Sequence, residues 1–302
     1  MTRLRVGTRG SGLAPRQTRW VCDRLLAVHD ELTIEEVVIT THGDIASDAV
    51  SGRDGSGSGS GPPGRFVSAI EQALLDDRID LAVHSYKDLP SAATKGLMIA
   101  AVPPREVVHD VLVSREPVDL ARLPGGFKVG TGSPRRAAQF LRLGGVRIVP
   151  IRGNVPTRLA KLDDPDYDGL VLAAAGLKRL GVAPPHRIDL PIDRFVPAPA
   201  QGALAIQTRR NDGAIAIVAV MEDGLARRAV LAERAFLSGV SAGCHTPVAA
   251  LATVDDRTVS LHGQLFSDDY ARLAEAIEVG DDPQEVGTRL AERLVRELRG
   301  GS

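Results

Sequence analysis

A chain of 302 residues with 43% hydrophobic content is long enough for two or three cores, and none of its apolar runs approaches a membrane span. A net charge of −1 and only 3% aromatic residues argue against general nucleic-acid binding, which calls for a basic excess and stacking rings. Two cysteines, Cys22 and Cys244, sit far apart in segments of different kinds, so no disulfide framework is expected; with the polar opening MTRLRVGTRG this predicts a cytoplasmic protein.

Leu4–Thr8 reads as a first strand, followed by the turn Arg9-Gly10-Ser11-Gly12 and by helical apolar spacing from Leu13 to about Val28. A glycine-bracketed turn between strand and helix can offer backbone N–H groups to an anion. Cys22 lies within that helix and reads as a small core residue. Ile34–Thr41 is a β-branched strand, after which composition collapses: residues Asp44–Gly64 carry GSGSGSG and two prolines, a flexible loop or a lid. Order resumes with a helix through Phe66, Ile70, Ala73 and Leu74 and the strand opening at Leu81. Polarity then arrives as His84, Ser85, Tyr86, Lys87 and Asp88, just past the carboxyl end of a buried strand, where open α/β sheets place ligands. For this segment alone, a solvated loop with a Lys–Asp pair is equally open.

Leu97–Val102 is a further strand, and Pro103-Pro104 suggests a boundary. A second α/β pattern follows, with strands at Val111–Val113, Lys128–Gly130, Arg147–Ile151 and Leu170–Ala173. Between the second and third lies Gly130-Thr131-Gly132-Ser133-Pro134-Arg135-Arg136. Ser133 is a good N-cap and Pro134 a favoured first helical residue, so Arg135 and Arg136 fall in a helix's opening turn, at its positive end. An anionic ligand would relieve that conflict. Asn154 can cap a helix carrying Arg158 and Lys161 just past Arg152, and Lys178 and Arg179 close another helix, where they also suit its dipole. Arginine at several strand ends implies a small polyanion as partner. A proline-rich connector, Pro191–Pro199, leads past Gln201-Gly202 to the strand Ala203–Thr208. Last come an Ala-rich helix at Leu225–Leu237, a turn Ser241–Pro247 with Cys244, antiparallel strands at Val248–Val254, Thr258–Phe266 and Arg272–Val279, and a closing helix at Asp282–Leu298. Cys244 lies in a loop without helical periodicity, where an exposed reactive thiol and an incidental cysteine are both open, while metal binding lacks a second ligand set.

The motifs VGTRGSGLA, HSYKDLP, GTGSPRR, IRGNVPTRLAKLD, LAAAGLKRLG, PAPAQGALAI and ERAFLSGVSAGCHTP, in that order, resemble the porphobilinogen deaminase (hydroxymethylbilane synthase) family. The resemblance implies an α/β fold: two periplasmic-binding-protein-like (type II) lobes around a cleft plus a small C-terminal α+β domain. The corresponding expected boundaries are 1–102 with a return segment 200–221, then 103–199, then 222–302. It also implies a dipyrromethane cofactor, itself two substrate units, on a thioether to Cys244, and Asp88 as the catalytic carboxylate. Cofactor-binding positions are then Ser85, Lys87, Asp88, Thr131, Ser133, Arg135 and Arg136; substrate-binding positions are Arg9, Ser11, Arg152, Arg158, Arg179 and Gln201; no metal is expected.

The chemistry implied is stepwise condensation of four porphobilinogen molecules into linear hydroxymethylbilane with release of ammonia, in haem, cobalamin and sirohaem biosynthesis. Each pyrrole brings an acetate and a propionate for arginines to clamp, and loss of ammonia leaves an azafulvene cation that Asp88 can stabilise. The expected enzyme is monomeric, hands its product to uroporphyrinogen-III synthase, and binds neither membrane nor nucleic acid. The loop at 44–64 departs from the family in lacking lysine. The alternative reading is a non-catalytic anion- or tetrapyrrole-binding protein of periplasmic-binding fold.

Overall fold

The computed structural model describes residues 2–10, 12–39, 65–240 and 247–300, with 65–68 described by backbone only. The expectations for the loop 44–64, for Ser11 and for the turn bearing Cys244 lie outside the described residues. In chain order the described elements begin with β1 (Thr2–Arg9), α1 (Ala14–Leu26), β2 (Leu32–Ile39), α2 (Arg65–Leu75), β3 (Leu81–Ser85) and β4 (Leu97–Ala101). Next come β5 (Asp110–Ser114), β6 (Phe127–Gly130), α3 (Pro134–Leu141), β7 (Val146–Val149), α4 (Val155–Ala160), β8 (Gly169–Ala173), α5 (Ala174–Leu180) and β9 (Arg187–Asp189). The chain closes with β10 (Leu204–Arg209), α6 (Ala214–Val218), α7 (Gly224–Val240), β11 (Val248–Asp255), β12 (Thr258–Phe266), β13 (Leu273–Gly280) and α8 (Pro283–Gly300).

Two compact units result, 1–105 with 203–224, and 106–202 with 225–302. The first holds a five-stranded sheet in the order β2-β1-β3-β10-β4, the second a five-stranded sheet in the order β7-β6-β8-β5-β9. In each, four strands run parallel and the fifth, β10 or β5, enters antiparallel between the third and the last. The same order twice is the topology of type II periplasmic-binding-protein lobes, the fold class the sequence implies. The strand β9, three residues long, is an addition to the predicted set.

Hydrophobic periodicity explains the layers. Val21, Cys22 and Leu25 on one stripe of α1 pack on Leu4, Val6, Val83 and Ile206 of the first sheet, and Ile70, Ala73 and Leu74 of α2 cover its other face with Ile79 and Leu97. Burial pushes the Cys22 thiol up to about 12, so it is an inert core residue, as expected. In the second unit Phe140 of α3 meets Phe195 of the connector, ring centroids 5.0 Å apart, over Leu112, Phe127 and Val129. The three-stranded antiparallel sheet β11-β12-β13 carries α7 and α8 on one face, with Phe236, Leu261, Leu290 and Leu294 fully buried between them. Asp282 starts α8 by accepting hydrogen bonds from the backbone of Gln284 at 2.8 Å and Glu285 at 3.0 Å.

The connector into β10 holds two left-handed residues, Ala200 at φ 61° and Gly202 at φ 85°. Glycine is required at 202 on a second count, since a Cβ there would collide with the Glu106 carbonyl oxygen. Ala200 is held by the buried Glu233 of α7, whose Oε2 accepts its N–H at 2.6 Å. No helix among the described residues is long and apolar enough to cross a membrane.

Candidate functional site

In the first unit, β1 and β3 pair in parallel with Val6 opposite Leu81 and Gly7 opposite Ala82. That register brings Arg9, the last residue of β1, alongside the end of β3. Ser85 ends β3, and Tyr86–Asp88 form one 3-10 turn immediately beyond it. Polarity therefore does break out at the carboxyl edge of the sheet, but not where the sequence puts it. His84 and Tyr86 are buried, and of this run only Ser85, Lys87 and Asp88 reach toward solvent, Asp88 being exposed and the other two half-buried. Ser85 Oγ and the buried Gln17 of α1 hydrogen-bond at 2.8 Å, which pins the residue before the turn.

His84 points into the core, where its Nε2 lies 2.9 Å from Gln207 Oε1, and Gln207 Nε2 donates to Glu71 Oε1 at 2.9 Å. Burial pulls His84 down to about 4, against Gln207 and Glu71, which favour its charged form. It is a neutral ring tying β3 to β10 and α2 beneath the exposed turn.

In the second unit the parallel strands β6, β7 and β8 deliver three loops to one carboxyl edge: Thr131–Ser133, Arg152–Asn154, and the start of α5. Thr131 is buried and its Oγ1 accepts from Ser133 N at 3.1 Å; Ser133 is the N-cap of α3, and Pro134 is its first residue. Asn154 caps α4, accepting from Thr157 N at 2.9 Å and Thr157 Oγ1 at 2.8 Å. Arg152 is exposed, and Arg158 Nε donates to the Gly153 carbonyl at 2.7 Å.

Arg135 and Arg136 lie in the opening turn of α3, where the sequence puts them. Both are buried, and the conflict at the positive end of α3 is relieved by Asp110, the 1% exposed first residue of β5. Arg135 Nη2 meets Asp110 Oδ2 at 2.7 Å and Arg136 Nη2 meets Oδ1 at 2.6 Å. Gln201, expected at the substrate, is fully buried and donates to Asp110 Oδ1 at 2.9 Å and to the Val108 carbonyl at 2.7 Å. Arg179 Nη2 donates to the Gly202 carbonyl at 2.8 Å, and burial draws its pKa down, against the field of Glu106. Burial likewise lowers Arg135, opposed by Asp110 and reinforced by Arg136.

Asp110 escapes sequence reasoning because a single carboxylate before Val111-Leu112-Val113 looks like a strand boundary. The available signal was its place between Val107-Val108 and that apolar run, where an aspartate must be buried and paired. Among the described residues, two guanidinium groups against one carboxylate leave a buried excess of one positive charge. Arg135 Nε and Arg136 Nε are also buried without a hydrogen-bond partner among the described residues. This donor set fits a carboxylate-bearing dipyrromethane. Among the described residues no cluster of histidine, cysteine and carboxylate groups could hold a metal ion.

Two sheets of one topology with loops at their carboxyl edges, one backed by a cationic cluster, define an α/β protein built to bind a small polyanion. Family models give the class its particular form: "Porphobilinogen deaminase, dipyromethane cofactor binding domain" matches residues 4–217 and "Porphobilinogen deaminase, C-terminal domain" matches 227–296. The chain belongs to the porphobilinogen deaminase family. It is 42% identical over 299 residues to the porphobilinogen deaminase of Geobacillus sp. (strain WCH70), covering 98% of this chain and 94% of that one. With the porphobilinogen deaminase of Nocardia farcinica it shares 45% over 308 residues, covering 98% and 86%. Among solved structures, the methionine-binding protein MetQ overlaps with a TM-score of 0.44 at 13% identity, covering 72% of this chain and 89% of that one; the fold assignment rests on the strand orders instead.

Proposed function

We propose that this chain is a hydroxymethylbilane synthase, condensing four porphobilinogen molecules into a linear tetrapyrrole with release of ammonia. What carries the reading is that both family matches fall on a chain whose buried Asp110 cluster holds two guanidinium groups to one carboxylate. The dipyrromethane group, attached by a thioether to Cys244, supplies when bound the nucleophilic pyrrole carbon on which the product grows. The chain's own residues must do the rest. Each pyrrole carries two carboxylates, so Arg9, Ser11, Arg152, Arg158, Arg179 and Gln201 are assigned to substrate, and Thr131, Ser133, Arg135 and Arg136 to the cofactor, with Asp110 orienting the last two.

Asp88 is the proposed catalytic residue. Its exposure at the carboxyl edge of the first sheet lets its carboxylate face a pyrrole, accept the ring N–H and stabilise positive charge as ammonia leaves. Ser85 and Lys87 flank it, and the Gln17 contact to Ser85 holds the turn in place. We further propose three domains, 1–102 with 200–221, 103–199 and 222–302, and a cytoplasmic monomer whose product passes to uroporphyrinogen-III synthase. The test is intact-protein mass. The purified chain should carry two pyrrole units, lost in Cys244→Ser, and should release ammonia from porphobilinogen. An unmodified chain that leaves porphobilinogen unchanged would overturn the reading in favour of binding alone.

A further inference from the structure

The arginine cluster does not end at Asp110. Arg135 Nη1 donates to Gln139 Oε1 at 3.0 Å, one turn along α3. Gln139 Nε2 donates to the Val196 carbonyl at 2.8 Å and to Gln264 Oε1 at 3.0 Å, and Gln264 Nε2 donates to Glu275 Oε1 at 2.8 Å. Both glutamines are buried, and Gln264 and Glu275 stand opposite each other on β12 and β13. A guanidinium can only donate and a carboxylate can only accept, so the two ends fix the orientation of both amides between them. Turning either amide over would set donor against donor or acceptor against acceptor. Such a relay tolerates one register of the three-stranded sheet on α3, whereas apolar contacts alone would tolerate several.

We propose that Gln139 and Gln264 are positioning residues: their paired amides set the C-terminal sheet against the helix bearing Arg135 and Arg136, and so fix where a pyrrole chain anchored four residues ahead of β11 meets the guanidinium pair. The inference rests on Cys244 as the attachment residue. Two further ties act at the same seam. Glu233 Oε1 accepts from Ala252 N at 2.8 Å while its Oε2 holds Ala200, and Ala250 N donates to the Pro197 carbonyl at 2.9 Å. These ties, a side-chain carboxylate on backbone N–H groups and a backbone pair, do not pass through the amides and keep the sheet docked when the relay is cut, so the relay can be tested in a folded chain.

The experiment compares Gln139→Leu, Gln264→Leu, their double variant, Gln264→Glu alone and the exchanged pair Gln264→Glu with Glu275→Gln. The exchanged pair keeps an acceptor for Gln139 Nε2 and faces it with a donor from β13. The readouts are the fraction of chain carrying the two-pyrrole adduct by intact mass and the melting temperature. Each single Leu variant should lower the loaded fraction by about threefold or more, the double no further than the worse single, and the exchange should return it to within about twofold of wild type. A folded single variant loading like wild type, or an additive double, would overturn the inference, as would an exchanged pair loading no better than Gln264→Glu alone. Should the Leu variants not fold, that last comparison decides. A wild-type chain without adduct would instead overturn the Cys244 reading, which separates the two failures.

Discussion

Asp110 faces two guanidinium groups from within the core, and removing its charge leaves both without a counterion. Asp110→Asn should lose about 3–5 kcal/mol of stability, read from urea unfolding, because breaking a buried pair strands the remaining charge. A loss under about 1 kcal/mol would show that the cluster is held elsewhere. Asp88 is the contrasting carboxylate. Exposed beyond the end of its strand, Asp88→Asn should stay within about 0.5 kcal/mol of wild type in stability, yet lower ammonia release and uroporphyrin formation by orders of magnitude. Near-native rates would remove Asp88 from the mechanism. His84 links stability to pH. Its folded pKa of about 4 lies below the ordinary 6.5, so the unfolded chain binds the proton first. Stability is therefore whole above about pH 6.5 and falls as pH drops toward 4, by up to about 1.4 kcal/mol per pH unit. His84→Gln should flatten that slope between about pH 7 and about pH 5 in urea titrations, and an unchanged slope would assign it to other groups. At this scale the sequence names the charged positions but not their partners: Gln207 lies 123 residues from His84, and Asp110 lies 25 from Arg135. Sequence spacing says nothing of contacts that the sheet order creates.

The helices were the most legible elements, because capping chemistry is local. Ser133-Pro134 and Asn154 mark the starts of α3 and α4 from the sequence alone, and the structure has both at N-caps. The short strand β9 was not legible. Arg187-Ile188-Asp189 has one apolar residue between two charged ones, and its status comes entirely from pairing with β5 through Val111, Leu112 and Val113. Three residues give no period to read. The helix α4 is only six residues long and depends heavily on its cap. Asn154→Ala should cost about 1 kcal/mol locally and raise KM for porphobilinogen more than it lowers kcat, since Arg158 rides on that helix while Asp88 lies in the turn beyond β3, in the other unit. Equal effects on both constants, or none, would detach α4 from substrate binding.

Over the whole molecule, two successive α/β units are legible in the alternating strand and helix patterns, but the strand order and the place of the antiparallel strand are not, because either edge of the sheet satisfies the same hydrophobic pattern. The residues 106–202 and 225–302 fall in one compact unit, joined by Gln139–Gln264, Glu233–Ala200 and Ala250–Pro197. Amides of β11–β13 should therefore exchange with solvent at the same opening free energy as those of β5, β6 and β8; markedly faster exchange in the C-terminal sheet would show that it opens by itself. The intruding strand β10 lies between β3 and β4, yet it begins at Leu204, whereas β4 ends at Ala101. On the ribosome the first sheet is consequently a structure with a missing middle. At roughly 5–20 residues per second, something like 5–20 seconds of translation separates the emergence of β4 from that of β10. Throughout that interval β3 and β4 each offer an unpaired edge to any neighbouring nascent chain, so the vulnerable period of this protein is set by the speed of its synthesis rather than by the stability of its finished fold.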